Sequence, residues 1–338
     1  MTSSPQRAIG SSAALAQALE QASALANINR PVLVLGERGT GKELIAERLH
    51  YLSPRWDQAF VSLNCATISE DLMESELFGH EPGAFTGAQK IHHGRFERAD
   101  GGSLFLDELG AMSTRLQEKL LRVIEYGEFE RLGGHKTLKV DVRLIAATNA
   151  DLKNMAAKGE FRADLLDRLA FDVIPTPPLR ERKEDIEELA DYFAMRMSIE
   201  LGWESFAGFS DKAMEALKQH AWPGNIRELK NCIERSVFRQ GETNEPLENI
   251  IIDPFPHSAN TEEKVAEKTD KQPAIDTQHT ELVKTSNQQI DFKQRLNQLE
   301  KALLIQALEQ NQQSQKQAAK ALSLSYDQIR GLMKKHLK

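Results

Sequence analysis

A lysine at the end of a glycine-rich turn, and two adjacent acids at the end of a later apolar run, are the groups best placed for chemistry in this 338-residue chain. The turn, Gly36-Glu37-Arg38-Gly39-Thr40-Gly41-Lys42, fits the G-x-x-x-x-G-K core of a phosphate-binding loop. Backbone N–H groups of such a loop wrap phosphate oxygens, and the lysine reaches the β- and γ-phosphates. The context agrees: a short apolar strand, Val32 to Leu35, leads in, and a helix with Leu44, Ile45 and Leu49 at helical spacing leads out. The residue after the lysine is Glu43 rather than the general motif's Ser or Thr, so metal coordination cannot rest on a hydroxyl there. The run GSLFLDEL delivers Asp107 and Glu108 to the C-terminal end of a strand, where open α/β sheets place their ligands. Asp107 is the expected Mg²⁺ holder, through water, and Glu108 the general base that polarises an attacking water. Two exposed acids at a strand end are the plainer alternative. A third apolar run, in IAATNADL, ends on Thr148 and Asn149. An amide there orients water or senses the γ-phosphate, unless these residues only build a turn.

Two further stretches carry a message. GAFTGA, residues Gly83, Ala84, Phe85, Thr86, Gly87 and Ala88, is uncharged in a chain that is 28% charged. Pro82 and the two glycines indicate an exposed loop with Phe85 and Thr86 near its tip. An exposed Phe is better explained as a contact than as core; the alternative is a ring folded back onto the body. The other stretch is the C-terminus. The net charge is −7, yet Ser314 to Lys338 holds Lys316, Lys320, Arg330, Lys334, Lys335 and Lys338 against the single acid Asp327. It reads as helix, turn, helix. Ala318, Ala319 and Leu322 face inward from the first helix, and Tyr326, Ile329 and Met333 from the second. Gln328, Arg330, Lys334 and Lys335 are left for a groove or for phosphates, or for a basic hairpin with no role on DNA.

The elements that position these groups follow from strand–helix alternation with continuous apolar strands, which points to an α/β fold with a covered parallel sheet. After PTPPLRER the pattern turns helical, over Ile186 to Leu201 and Asp211 to Arg239. The expected organisation is an α/β nucleotide-binding subdomain at 1–178, a helical lid at 179–253, a flexible polar linker at 254–290 and a helix-turn-helix domain at 291–338. Leu296, Leu299, Leu303 and Ala307 form a stripe suited to a dimer seam or to packing within one subunit. No apolar run approaches a membrane span, and the N-terminus lacks the pattern of a secretory signal. The two cysteines, Cys65 and Cys232, have no metal-ligand spacing and read as inert buried thiols of a cytoplasmic protein.

Taken together, GERGTGKE, ELFGHEPGAFTGAQK, GSLFLDEL, AATNADL, FRADLLDRLAFDVI, PPLRER and WPGNIRELKN resemble the central AAA+ domain of bacterial sigma-54-dependent activators over roughly residues 9–253. GAFTGA is the most specific of these, and Glu after the Walker lysine is usual in that family. The resemblance implies ATP and Mg²⁺ as cofactors, hydrolysis in a hexameric ring, and remodelling of closed promoter complexes of sigma-54 RNA polymerase. It makes residues 83–88 the sigma-54 contact, with the segment EYGEFERLGGHKTLKV as a second loop moving with it. It makes Arg162 and Arg168 the arginines that reach a neighbouring subunit's site, Arg227 the lid arginine that reads nucleotide state, and Asn64 the residue that bonds and restrains Glu108. The basic end resembles a Fis-type helix-turn-helix, which implies upstream double-stranded DNA. The ATPase starts near residue 9 with no sensing domain before it, so control is expected from a negative regulator bound in trans, with Trp56, between Arg55 and Asp57, as its candidate contact. The competing readings are a non-catalytic DNA-binding repressor whose AAA+ body only oligomerises, and a motor for another client.

Overall fold

The computed structural model describes residues 8–254 and, further on, residues 301, 304–305, 307–308, 314–322, 324 and 326–336. Residues 255–290 of the expected linker, and Leu296, Leu299 and Leu303 of the expected stripe, lie outside the described residues. The chain divides into two units, residues 1–260 and 261–338.

The first unit opens with α1 (Ala13–Ala26), β1 (Val32–Leu35), α2 (Lys42–Tyr51) and β2 (Phe60–Asn64), followed by α3 (Glu70–Phe78), the short α4 (Arg95–Arg98) and β3 (Ser103–Asp107). Next come α5 (Thr114–Tyr126), the hairpin strands β4 (Glu128–Glu130) and β5 (Thr137–Lys139), β6 (Arg143–Thr148), α6 (Leu152–Ala157), α7 (Ala163–Leu169) and β7 (Val173–Pro175). The main sheet has the order β2-β3-β6-β1-β7, and every pairing in it is parallel. Helices cover both faces, which is why the inner strands β1, β3 and β6 are buried without alternation. Val32, Val34, Phe105, Ile145 and Ala147 pack with α1 and α2, and Leu33, Leu104, Leu106, Leu144 and Ala146 pack with α3, α5 and α7. In-register pairs Asn64–Asp107 and Leu35–Thr148 bring the candidate site residues to one edge.

The opposite edge is bolted. Arg143 is buried, and its guanidinium donates to Ala26 O at 2.6 Å, Leu25 O at 2.8 Å and Leu49 O at 3.0 Å. These are carbonyls from the last turns of α1 and α2, the groups a helix end leaves unpaired. Burial, with the nearby Arg55 charge adding to it, lowers the Arg143 pKa to about 10.

Between α3 and α4 the chain leaves the sheet and returns. His80 and His92 pair as an antiparallel bridge, with N–H to O distances of 3.1 and 3.0 Å. Just outside that bridge Gly79 and Gly94 touch through their backbones: a Cβ on Gly94 would lie 2.5 Å from Gly79 N. Only glycine fits this crossing. GAFTGA is carried on the resulting insertion. The segment expected as a second loop is the β4–β5 hairpin, and it is stitched to the insertion by Glu81 N to Leu132 O at 2.9 Å and Leu132 N to Gly79 O at 3.0 Å.

The lid consists of α8 (Asp185–Glu200), α9 (Asp211–Gln219) and α10 (Asn225–Gln240) around Leu189, Phe193, Trp222, Leu229 and Ile233. Trp222 is fully buried, and its indole N–H donates to Leu217 O at 2.8 Å. In the second unit, α11 (Gln315–Ala321) and α12 (Tyr326–His336) share a core of Leu304, Ala307, Leu308, Ala318, Ala319 and Ile329. Ala307 of the expected stripe therefore packs within one subunit. Among the described residues no helix is long and apolar enough to cross a membrane.

Candidate functional site

The glycine-rich turn links β1 to α2 at the C-terminal edge of the sheet. Gly41 is the N-cap of α2 in left-handed backbone (φ 96°) and brings no capping side chain. The first-turn amides of α2 thus face the loop without side-chain competition, the arrangement that receives a phosphate at a helix N-terminus. The Lys42 ammonium bonds Gly36 O at 3.0 Å and Glu37 O at 3.2 Å. Burial lowers its pKa, and the nearby charges of Glu108 and Asp107 oppose that shift. Glu108 sits in left-handed backbone (φ 52°), its N–H donates to Asp107 Oδ1 at 2.9 Å, and its carboxylate lies 3.5 Å from Arg38 Nε. Among the described residues no cluster of three or more His, Cys, Asp or Glu could cage a metal. The acid pair matches Mg²⁺, which binds through one or two carboxylates, waters and substrate phosphates rather than a protein cage.

Not every residue of the turn points at this space. Thr40 is buried, its hydroxyl donating to Glu37 O at 2.9 Å and sharing a 3.2 Å bond with Thr176. Glu43 is exposed in the first turn of α2. Glu37 takes a two-pronged bond from Arg180 (2.6 and 2.9 Å) and a third from Asn225 Nδ2 (3.0 Å). Hydrogen bonds from Arg180 and then Asn225 lower its pKa to about 2. Glu37 therefore ties the loop to the lid.

Asn225 is the residue that the sequence reading missed. It is fully buried with φ 54°, at the start of α10. Its Oδ1 accepts from Leu179 N at 2.8 Å, and its Nδ2 also donates to Arg38 O at 3.0 Å. Next to it, Ile226 N donates to Gly39 O at 2.9 Å. Asn after Gly in WPGN is the available signal, since Asn tolerates left-handed backbone better than most residues. The exposed Arg227 follows, close enough for its charge to help depress Lys42. Beside the loop, Ile9, Leu44 and Ile226 line, with Leu189 and Tyr192, an apolar cavity of about 650 Å³ between the sheet subdomain and the lid.

Asn64 departs from expectation. Its Nδ2 donates to Asp107 Oδ2 at 3.2 Å rather than to Glu108, and its Oδ1 accepts from Ala66 N at 2.9 Å. The cause is register: Asn64 and Asp107 are paired neighbours on β2 and β3, whereas the left-handed bend turns Glu108 aside. Thr148 is buried and its hydroxyl accepts from Ala150 N at 3.0 Å, the turn-building role given as the alternative, while Asn149 stays exposed. Arg162 bonds Asp164 twice, at 2.7 and 3.0 Å, and Arg168 bonds Glu125 at 2.9 Å. Both arginines are thus engaged by acids of their own chain.

In the GAFTGA loop Phe85 is 48% exposed, Thr86 is exposed and Ala88 is buried. The loop is closed by Gly83 N to Ala88 O at 2.7 Å. At its base Arg131 donates to Glu81 at 2.6 Å and to Glu97 at 2.6 and 2.9 Å. Burial alone would raise the Glu97 pKa, but hydrogen bonds from Arg131 and His93 outweigh it and bring the group from 4.5 to about 2. A carboxyl lowered on folding contributes stability above its unfolded pKa and loses it as pH falls through the folded value. The wild type's thermal advantage over Glu97→Gln is therefore expected to hold above pH 4.5 and to vanish as pH approaches about 2. Melting curves at successive pH values check this; a gap independent of pH contradicts it.

Gln328, Arg330, Lys334 and Lys335 are all exposed on α12, and Ile329 is buried on its other side. Trp56 is 62% exposed on a loop pinned by Arg55, which bonds Gly102 O and both Asp141 carboxylate oxygens. Cys65 and Cys232 are buried, and burial is the main cause that pushes their pKa values up to about 12 and about 11.

Comparison with known proteins places this geometry. The family model described as sigma-54 interaction domain matches residues 8–174, the AAA+ ATPase lid domain matches 180–272, and the bacterial regulatory protein, Fis family, matches 295–336. The chain is 54% identical over 328 residues to the Psp operon transcriptional activator of Escherichia coli K12, across 97% of each protein. It is 53% identical over 230 residues to the Nif-specific regulatory protein of Azotobacter vinelandii, covering 68% of this chain and 44% of that one. The crystal structure of NtrX from Brucella abortus matches with a TM-score of 0.68 at 30% identity, over 97% of this chain and 68% of NtrX. NtrX is also known in complex with ATP and with ADP.

Proposed function

The chain belongs to the sigma-54-dependent transcriptional activators of the AAA+ class, with a Fis-type helix-turn-helix, and from that premise we propose that it hydrolyses ATP to remodel closed sigma-54 promoter complexes into open ones. The observation that carries the reading is a pairing: Lys42, Asp107 and Glu108 at one sheet edge, and GAFTGA on an insertion leading into the strand that bears the acids. A body that only oligomerised would need neither.

ATP with Mg²⁺ supplies the phosphoanhydride and the metal charge. Lys42 and the first-turn amides of α2 bind and orient the phosphates, and Ile9, Leu44 and Ile226 offer the base an apolar wall. Asp107 would hold the metal ion. Glu108 takes the proton of the attacking water on a carboxylate oxygen, and Asn64 restrains the acid pair through Asp107. Asn149 senses the γ-phosphate from the end of β6. Arg162 and Arg168 of one copy leave their own acids and stabilise charge in the site of the next, in a hexameric ring. Arg227 couples that site to the lid. Residues 83–88 meet sigma-54.

The targets in this reading are psp genes, as the name of the E. coli relative has it; the chain acts in the cytoplasm, and a PspA-like negative regulator binds it in trans through Trp56. Exposure of that indole on a pinned loop supports the surface, since Trp is enriched at binding hot spots. Thr86→Ala is expected to keep most of its ATP turnover while losing promoter opening with sigma-54 holoenzyme. A Thr86→Ala protein that opens promoters as well as wild type contradicts the loop's role.

The second unit is proposed to bind upstream duplex DNA through α12. Removing one phosphate contact, as in Lys334→Ala or Arg330→Ala, is expected to flatten the slope of log K against log salt by about 1. Binding isotherms at a series of salt concentrations test it, and an unchanged slope for both variants argues against this face.

A further inference from the structure

We propose that His80 is a positioning residue for the client-facing loop: its imidazole is the seat on which Phe85 rests when the loop lies down on the body. This rests on the reading of residues 83–88 as the sigma-54 contact. The two rings meet edge to face, centroids 4.9 Å apart and planes at 67°, a geometry aromatic quadrupoles favour. The base of the loop is tied by Glu81 N to Leu132 O, by the Arg131–Glu81 pair and by buried Ala88, but its tip makes few contacts. Gly83 and Gly87 are both left-handed, and a Cβ at either would meet nothing within 4 Å. Besides the ring contact, Ala84 rests against Gly133 of the hairpin turn. With the base held, the aromatic contact sets where the tip of the loop sits.

The seat is itself fixed from below. Ser75 Oγ lies 2.7 Å from His80 Nδ1, and His92 stacks on the imidazole with centroids 5.3 Å apart. His92 Nε2 is 3.6 Å from Glu76 Oε1, and Arg95 bonds Glu76 Oε2 at 2.8 and 3.0 Å. The same guanidinium donates to Ser62 O at 3.2 Å, on β2. Two residues further, β2 ends on Asn64, bonded to Asp107. An unbroken run of contacts thus joins the acid end of the sheet to the ring of Phe85. A shift of β2 against β3 tilts the seat, and the loop is free to rise when the seat no longer meets the ring.

The test uses the full chain carrying Thr86→Cys, which takes a nitroxide selectively because Cys65 and Cys232 are buried. With no nucleotide added, His80→Ala is expected to raise the ratio of mobile to immobile label by roughly two- to tenfold, the range of one aromatic contact. Phe85→Ala, at an exposed position, is expected to do the same, and the double variant no more than either. His80→Phe, which keeps a ring without the bond to Ser75, is expected to stay near the wild-type ratio. An unchanged ratio in both alanine variants, or additive effects in the double variant, overturns the seat. In unlabelled protein, His80→Ala is expected to raise nucleotide-free binding to sigma-54 by a similar factor. A loop shown mobile by the label, with sigma-54 binding unaltered, overturns the client assignment and leaves the seat standing.

Discussion

Glu108→Gln is expected to slow ATP turnover by about 10²- to 10⁴-fold, the usual worth of a positioned general base, while nucleotide affinity stays near that of the wild type. The argument is geometric. Glu108 touches the phosphate loop only through Arg38 Nε at 3.5 Å, with the arginine side chain 68% exposed, a pair of little energetic weight. Lys42 and the α2 amides, which hold the phosphates in the proposed reading, are untouched. Glutamine keeps the length and planarity of the side chain and inherits the same left-handed backbone, so the turn at Leu109–Ala111 persists. Only the capacity to take a proton goes. Steady-state phosphate release and equilibrium binding of a fluorescent ATP analogue separate the two effects. Turnover within tenfold of wild type would remove Glu108 from the role of base.

Arg168→Ala is expected to cost about 10³- to 10⁵-fold in turnover, the range for an arginine that neutralises transition-state charge. Within one chain Arg168 bonds Glu125 of α5, and the cleft it lines is shared with Arg30, Tyr126 and Phe171, none of them in the phosphate loop. On the proposed reading its effect crosses a subunit boundary, which gives a sharper test than the single variant. Lys42→Ala chains and Arg168→Ala chains are each expected to be inactive alone. Mixed, they form about a quarter of interfaces with an intact lysine facing an intact arginine, if assembly into a closed ring is random. Activity recovered on mixing supports a site completed by two copies. A mixture as inactive as its components, with co-assembly verified, refutes it.

The parts legible in the sequence were those whose chemistry is set by spacing along the chain. GERGTGK before an apolar helix and DE after an apolar strand declare themselves, because strand and helix geometry fix where those side chains emerge. The facing residues of α11 and α12 followed from helical period in the same way. What stayed hidden depended on pairings between distant segments. Asn64 goes to Asp107 because of strand register, and register is not written in FVSLN alone. Glu37 reads as a phosphate-loop residue until Arg180 arrives from far along the chain to claim it. Asn225 looks like a helix start, and its three-way clamp exists only because Leu179 and Arg38 converge on it. The β4–β5 hairpin is three residues a side, too short to reveal alternation.

The crossing of Gly79 and Gly94 bears on how the proposed remodelling activity could be turned to a different client. Where a detour begins and ends at touching backbones, the path between can be lengthened, shortened or swapped with no adjustment to the strands on either side. On the proposed function, the nucleotide-binding body and the loop that meets sigma-54 are then free to take substitutions separately, joined by the glycine crossing and the ties at Leu132 and Arg131. A new recipient could be acquired by replacing one short segment, with the engine inherited unaltered.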